Sequence, residues 1–422
     1  MGLEQYKGDM EMCCRCSTCK FVPMQRISGL EYANVCPSIA RYEFHSYSAG
    51  GRLNIGNAAL KKGMNYTPRL LDIVYNCQLC GACGVSCNYA MDMEVMQPIT
   101  EFRLQCVKDG QTHPALDRMI AGLKQTGSSV PPSGPRGAWA AGLGLKDAAK
   151  AQAATLLYAG DHASHDAAAQ KIAQAAARLL RKAGVDFAIA GDAETSSGGA
   201  AYEAGYEEPF LAQAKKNAAF FKQAGVQTVI TLSPHDYQTF KVLYEKYRLR
   251  GSLEVRHISE YLQQLIGEGK LELRRRVDLA VTYHDPCHLG RLSEPWVHWE
   301  GKKVPGDRFV FDPPKPYRRG SGGCYEPPRE VLRGIPGVKL TEMPRIKEYA
   351  WCCGAGGGVS ESNPQFAQWT ARERIAEAES SGAEALVTAC TGCEQGLGAA
   401  IKASGSRLKV YDLIELVEQS VE

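Results

Sequence analysis

The segment VDLAVTYHDPCHLGR, residues 277–291, decides how this chain is expected to fold. An apolar run rich in β-branched residues reaches Asp285 and stops at a Pro-Cys-His turn around Cys287, which predicts a strand that ends on a cysteine. EALVTACTGC, residues 384–393, has the same form, with a strand pattern ending at Cys390 and a helical pattern opening behind it. Strands alternating with helices in this way predict a parallel sheet with helices on its faces. Thiolates at such strand ends gain from the helix N-terminus, which lowers their pKa.

The alternation extends back to about residue 151. ATLLYAG (154–160) reads as a strand, Ala167 to Ala183 as a helix closed by Gly184, and VDFAIAG and VQTVITLS as further strands. Two α/β lobes follow, 151–275 and 276–422. They read as a degenerate internal repeat. The strand running to Asp161 matches the one running to Cys287. Ser196-Ser197-Gly198-Gly199 matches Cys352-Cys353-Gly354, and Ser233 to Asp236 matches Cys390 to Cys393. Lys124 to Gly144 is rich in Pro, Gly and Ser, so residues 124–150 are expected to form a linker. Residues 1–123 form a cysteine-rich head with helical stretches such as Pro98 to Leu123. The expected class is α+β and multi-domain: a helical head, then two α/β lobes.

A length of 422 residues suffices for two or three domains with cores. The net charge of +3 gives no reason to expect a nucleic-acid partner. MGLEQYKGDMEM lacks the apolar core of a secretory signal, and no apolar run approaches the ~18 residues of a membrane span. The expected location is cytoplasmic, with no direct membrane span. In that reducing compartment the clusters among the 16 cysteines read as metal sites, not as disulfides.

Eight of them lie in two runs in the head. Cys77-x2-Cys80-x2-Cys83-x3-Cys87 has the spacing of bacterial ferredoxins, in which three thiolates hold one 4Fe–4S cubane and the fourth reaches a second. Cys13-x2-Cys16-x2-Cys19 repeats the triplet, and its Cys-Pro pair is displaced by an insertion to Cys36-Pro37. The ligand sets are therefore expected to cross: Cys13, Cys16, Cys19 and Cys87 for one cubane, and Cys77, Cys80, Cys83 and Cys36 for the other. Zinc is the alternative, but its sites use separated pairs of cysteines, not unbroken triplets. Cys14 and Cys106 read as buried free thiols.

Toward the C-terminus stand YHDPCHLGR (283–291), YEPPREVL (325–332), WCCGAGGGVS (351–360) and TACTGC (388–393). Adjacent cysteines before a glycine-rich turn suit a cluster, because glycines let backbone amides approach the sulfides. Gly354, Gly356 and Gly357 are the candidates. These segments resemble the cysteine-rich CCG domain of the heterodisulfide reductase catalytic-subunit family, including its D-type member with a ferredoxin-like head and two such domains. The resemblance covers nearly the whole chain. It implies two Rossmann-like CCG lobes after a head with two 4Fe–4S clusters. It also implies a noncubane 4Fe–4S cluster on Cys287, Cys352, Cys353, Cys390 and Cys393, the seat of disulfide chemistry or electron transfer.

Two departures stand out. Residues from about Leu292 to Gly323, with Trp296 and Trp299, read as an insertion, so 64 residues intervene between Cys287 and Cys352. Only 27 separate Cys324 from Cys352, which leaves Cys324 as the rival fifth ligand. In the first lobe, Asp161, Ser196, Ser197, Ser233 and Asp236 stand where cysteines are expected. Such groups are poor ligands for iron–sulfur clusters, so this lobe is expected to hold none. The rival is a harder metal on Asp161, His162, His235 and Asp236.

Near Cys287, His288 is the candidate proton donor to a sulfur leaving group, while His284, Asp285 and Arg291 read as hydrogen-bonding support. The resemblance implies an electron-transfer subunit of an anaerobic redox complex, passing electrons between a flavin-type partner and the noncubane cluster through two cubanes. Its partners would be a flavin-containing heterodisulfide reductase A-like protein or a hydrogenase or dehydrogenase component, docked peripherally where the partner is membrane-bound. The alternative is a disulfide reductase acting at the noncubane cluster; a zinc-stabilised scaffold is the third class.

Overall fold

The computed structural model describes residues 2–27, 29–61, 64–91, 93–297, 301–306, 311–313 and 319–421; Trp299 lies outside them. Five strands build the first sheet: β1 (Lys146–Asp147), β2 (Thr155–Tyr158), β3 (Ala188–Ile189), β4 (Thr228–Thr231) and β5 (Glu254–His257). They are parallel, in the order β1-β3-β2-β4-β5. Then come β6 (Leu279–His284), a small hairpin of β7 (Lys302–Lys303) and β8 (Phe311–Asp312), β9 (Val338–Leu340), β10 (Ala385–Thr388) and β11 (Lys409–Asp412). The second sheet is also parallel, in the order β11-β10-β6-β9. Mixed helix and parallel sheet is the observed class. β10 is buried along its length, as near-continuous apolar strands are when helices cover both faces.

The helices carry their own start and stop signals. Asp166 caps Ala167–Lys182 by accepting from the N–H groups of Ala168 and Ala169. Ala169, Ile172, Ala173, Ala176 and Leu180 then fall on one buried face.

The repeat is visible in the register. Tyr158 of β2 pairs with Thr231 of β4, as His284 of β6 pairs with Thr388 of β10. Asp161 and Cys287 follow the first member of each pair, and Ser233 and Cys390 follow the second. One apolar core runs through both lobes, from Leu156 and Val229 to Val281, Ala385 and Leu416.

Residues 124–150, expected as a linker, are built into the first lobe. The preceding helix, Pro114–Thr126, runs past residue 123, and β1 extends the sheet at its edge. The N–H of Ser196 donates to the carbonyl of Gly127 at 2.7 Å, and Arg136 and Trp139 are buried. Pro, Gly and Ser signal a lack of helix or strand, which is not a lack of packing.

The head docks on both lobes through a buried Arg103. Its Nη1 donates to the carbonyls of Glu203 (2.9 Å) and Gly357 (2.6 Å), and its Nη2 to that of Cys77 (2.6 Å). No helix among the described residues is long and apolar enough to cross a membrane.

Candidate metal centre

The head holds two cysteine-lined cavities. One is lined by Cys13, Cys14, Cys16, Cys19 and Cys87, and the other by Cys36, Cys77, Cys80 and Cys83. The crossing has a local cause. Cys83 and Cys87 stand about one turn apart on the helix Ala82–Ala90, so one helix face serves both cavities. Ala49 walls both. Cys14, expected as a buried thiol, is exposed, as is Cys16, because the first cavity lies near solvent. Burial raises the thiol pKa of Cys36 to about 12. Cys106 lies outside both cavities, buried near Arg103 and Asp109, and burial raises its pKa to about 12 as well.

In the second lobe, Cys287, Cys352, Cys353, Cys390 and Cys393 come together from three segments, all buried. The sulfurs of Cys353 and Cys393 are 3.2 Å apart. Cys352 lies within hydrogen-bonding reach of Cys287 and Cys353, and also of Cys80 from the head. The Cys352 hydrogen bond brings the Cys80 thiol down to about 6, against the cost of burial. The same neighbour holds Cys287 well below its ordinary value, with His288 adding to the effect. The N–H of Gly354 points to the Cys352 sulfur at 3.3 Å, and that of Cys393 to the Cys390 sulfur at 3.4 Å, at the start of the helix Thr391–Ser404.

The rest of the glycine turn does something else. A Cβ at Gly356 would stand 2.6 Å from the carbonyl oxygen of Gln78, and one at Gly357 2.5 Å from that of Cys77. Gly357 also has φ +64°. These two glycines let the turn close on the second head quartet; of the three candidates, Gly354 is the one whose amide faces a sulfur.

The motif residues hold one another. Arg329, from the helix Glu326–Gly334, donates to both oxygens of Asp285, at 2.6 and 2.8 Å, and Asp285 also accepts from the N–H of Lys347. This bidentate pair fixes the turn that carries Cys287. Arg291 is fully enclosed, donating to the carbonyls of Cys80, Glu348 and Ala350, while its Nη2 is buried without a partner among the described residues. His284 accepts at Nδ1 from Nε of Arg374 at 3.1 Å. Its Nε2 must therefore carry the proton, and the His284 ring groups with the sulfurs of Cys353 and Cys393. Five soft donors, aimed N–H groups and a buried guanidinium with one nitrogen unpaired among the described residues suit a thiolate-bound cluster.

His288 stands 3.3 Å from Cys287 through Nδ1, and its Nε2 is 2.6 Å from Oε1 of Glu203, a residue of the first lobe. Burial opposes charge on this ring, but Cys287 and Glu203 on either side hold its pKa well above the ordinary value. Cys324 lies elsewhere, 3.9 Å from Oγ of Ser259, with Glu260, Lys241 and Arg256 around it.

Three of the positions in the first lobe that match the cysteines, Asp161, Ser197 and Asp236, are held in buried polar pairs. Arg136 donates to Asp161 at 2.6 Å and to Glu194 at 3.4 Å, and Ser197 donates to Asp236 at 2.5 Å. Burial raises the pKa of Asp236. It acts on Asp161 too, but the Arg136 charge and the bonds from Ser129 bring that carboxyl below its usual range. Among the described residues, Asp161, His162, His235 and Asp236 do not converge as a ligand set; His235 groups with Glu203 and His288. Glu203, Arg103 and Arg136 carry no motif in the sequence. The only available signal was that Arg136 lies in a stretch otherwise poor in charge.

The cysteine-rich CCG domain matches residues 156–241 and 281–398, one in each lobe. The chain is 34% identical over 268 residues to the Bacillus subtilis (strain 168) protein described as "Probable iron-sulfur-binding oxidoreductase FadF", covering 63% of this chain and 34% of that protein. It therefore spans about a third of that relative's length. It is 28% identical to the D-type subunit of dihydromethanophenazine:CoB–CoM heterodisulfide reductase from Methanosarcina mazei, covering 98% of this chain and 94% of the relative. A hypothetical protein from Helicobacter pylori shares the fold with a TM-score of 0.53 at 13% identity, over 88% of this chain and 67% of that one. The chain thus carries the cysteine-rich CCG domain twice and is a homologue of FadF and of the D-type heterodisulfide reductase subunits.

Proposed function

We propose that the chain is the iron–sulfur subunit of a larger redox complex. Cys13, Cys16, Cys19 and Cys87 would hold one 4Fe–4S cubane, and Cys36, Cys77, Cys80 and Cys83 a second. Cys287, Cys352, Cys353, Cys390 and Cys393 would hold a noncubane 4Fe–4S cluster. When bound, such groups take up and release single electrons at potentials set by burial and by hydrogen bonds to sulfur. One contact carries the reading: Cys80 of the second quartet lies against Cys352 of the quintet. With Ala49 common to the two head cavities, the three thiol groups form a continuous series.

The chain's own residues order the thiols and exclude water. Arg291 places a buried positive charge beside Cys80, Cys287 and Cys352. The near-solvent end at Cys14 and Cys16 is where a partner protein, flavin-containing or of hydrogenase or dehydrogenase type, would exchange electrons. The first lobe would hold no cluster, because hydroxyls and carboxylates stand at its matching positions and Asp161 is paired with the Arg136 guanidinium.

A second reading rests on the Cys287–His288 contact: reduction of a disulfide at the quintet. Two electrons and two protons convert R–S–S–R′ to RSH and R′SH, the electrons arriving singly from the partner through the head, one proton coming from His288 and the other from solvent.

Iron and acid-labile sulfide on anaerobically purified protein test the proposal, together with EPR of the oxidised form. About twelve iron atoms per chain are expected, and about eight would sink the quintet assignment. A signal that shifts on adding thiols favours disulfide chemistry; an unmoved one favours electron transfer alone.

A further inference from the structure

The site around Cys287 is not built by its own lobe alone. Glu203 belongs to the first lobe, in the helix Gly199–Ala204, yet its carboxylate reaches into the second. Oε1 is 2.6 Å from Nε2 of His288, and Oε2 accepts the N–H of Gly357 at 3.0 Å. The other ring nitrogen of His288 lies 3.3 Å from the Cys287 sulfur. His235, also of the first lobe, brings Nε2 to 3.6 Å from Oε2 and stands edge-on to His288, with ring centres 4.8 Å apart. Behind them, Arg103 of the head ties the backbone carbonyls of Glu203 and Gly357 together. The Glu203 and His288 side chains are only 12% and 8% exposed, so water competes little for these bonds.

We propose that Glu203 is a positioning residue for the Cys287 centre: it fixes the His288 ring so that Nδ1–H donates to the Cys287 sulfur. This rests on the reading that Cys287 ligates a cluster. A ligating thiolate has no hydrogen to give, so the hydrogen in the 3.3 Å contact comes from the ring. With a thiolate on one side and a carboxylate on the other, both acceptors, the ring carries hydrogen on both nitrogens, and the carboxylate on Nε2 fixes its orientation. A donor to a ligand sulfur favours the reduced cluster. The first lobe, without cysteines at its own matching positions, thereby acts on its neighbour's site.

Glu203, His235 and His288 place one ligand atom each within 4.8 Å of one another, so a divalent ion is the competing occupant. Against it, one carboxylate oxygen already lies at hydrogen-bond distance from His288, and the other takes the Gly357 amide.

The test uses the full chain with clusters in place, comparing wild type with Glu203→Gln, Glu203→Ala, His288→Ala, His235→Ala and the Glu203→Gln/His288→Ala double variant. Each is assayed for iron and zinc, for the midpoint potential of the oxidised-state signal, and for the exchangeable-proton coupling by ENDOR. His288→Ala is expected to lower the potential and erase the coupling. Glu203→Ala should do the same. Glu203→Gln should shift the potential in the same direction but less, since its amide oxygen still accepts from Nε2. In the double variant Glu203→Gln should add nothing to His288→Ala. A carboxylate acting only as a nearby negative charge would give the opposite sign: its removal would raise the potential. That result, or a wild-type coupling in Glu203→Ala, overturns the inference. So does a stoichiometric zinc ion lost in His235→Ala. Should Glu203→Ala lose its cluster, the sign in Glu203→Gln decides. A wild-type chain with no third cluster sinks the functional reading as well; a loaded wild type with indifferent Glu203 variants sinks this inference alone.

Discussion

Replacing Arg136 with Met keeps most of the side chain's length and apolar stem but removes its charge. The Arg136, Asp161 and Glu194 side chains are 8%, 10% and 4% exposed, so the substitution leaves two carboxylates buried without their cation. Breaking a buried pair from one side costs about 3–5 kcal/mol. Asp161 keeps the N–H and hydroxyl of Ser129, and Glu194 keeps the N–H groups of Ala159 and Gly160. Those bonds hold the loss near the lower end, about 3 kcal/mol, or about a hundredfold in the local opening equilibrium. Amide hydrogen exchange in β2 and β4 measures it without assuming two-state unfolding of a multi-domain metalloprotein. The pH dependence gives a second handle. In the wild type the Asp161 pKa is depressed, so its contribution is present above the unfolded pKa and is lost as pH falls through the folded value. In Arg136→Met the cation is gone, so burial raises the Asp161 carboxyl and lifts that of Glu194, already raised by burial in the wild type, further. The deficit should therefore be largest at pH 7 and shrink toward about pH 5, as protonation removes the buried charges. Iron content should not change. Wild-type protection at pH 7, or a deficit that grows on acidification, would refute the view that the guanidinium holds this lobe together.

Cysteine substitutions separate the rival ligands: Cys287→Ser should lose about four iron atoms per chain, while Cys324→Ser should keep the wild-type count, and the reverse pattern would move the site to Cys324. Gly357→Ala puts a Cβ 2.5 Å from the Cys77 carbonyl and costs about 1–2 kcal/mol for its positive φ alone. It should loosen the head and deplete iron from the second quartet, seen as loss of one cubane signal on reduction; an unchanged reduced spectrum would contradict that packing role. Burial, with Glu415 adding, raises the Asp412 pKa to about 7, so its contribution to stability is full below the unfolded value and is lost as pH rises through about 7. Asp412→Asn keeps the cap on the helix Leu413–Ser420 without the charge, so its protection factors should stay level from about pH 5 to pH 8 while the wild type's fall. Parallel curves would tell against a buried charge at the cap.

What could be read in the sequence was whatever depends on neighbours along the chain. Triplets of cysteines two residues apart, strands running into Cys287 and Cys390, and a Gly184 that ends a helix are all local patterns. What could not be read depends on partners far away. Arg136 lies in a stretch of Pro, Gly and Ser, and only the fold brings it to Asp161, 25 residues on, and to Glu194, 58 residues on. Gly356 and Gly357 sit in a turn suited to approaching sulfur, yet the surface they approach is the backbone of Cys77 and Gln78, which no local pattern could specify. Glu203 is one acid among many until the lobes close on His288. The first lobe nonetheless follows a rule that could be applied to sequence alone. A lobe that has lost its soft ligands leaves a buried hole lined by strand ends and helix starts. Water or unpaired polar groups in that hole would cost several kcal/mol, so the replacements must satisfy one another. Ser197 donates to Asp236 and Arg136 to Asp161, with Nη1 of Arg136 left without a partner among the described residues. Where carboxylates stand in the place of lost cysteines, the residue to look for is a compensating cation in the flanking chain before a harder metal is invoked; here that search leads to Arg136, which lies inside the lobe's core and not in a linker.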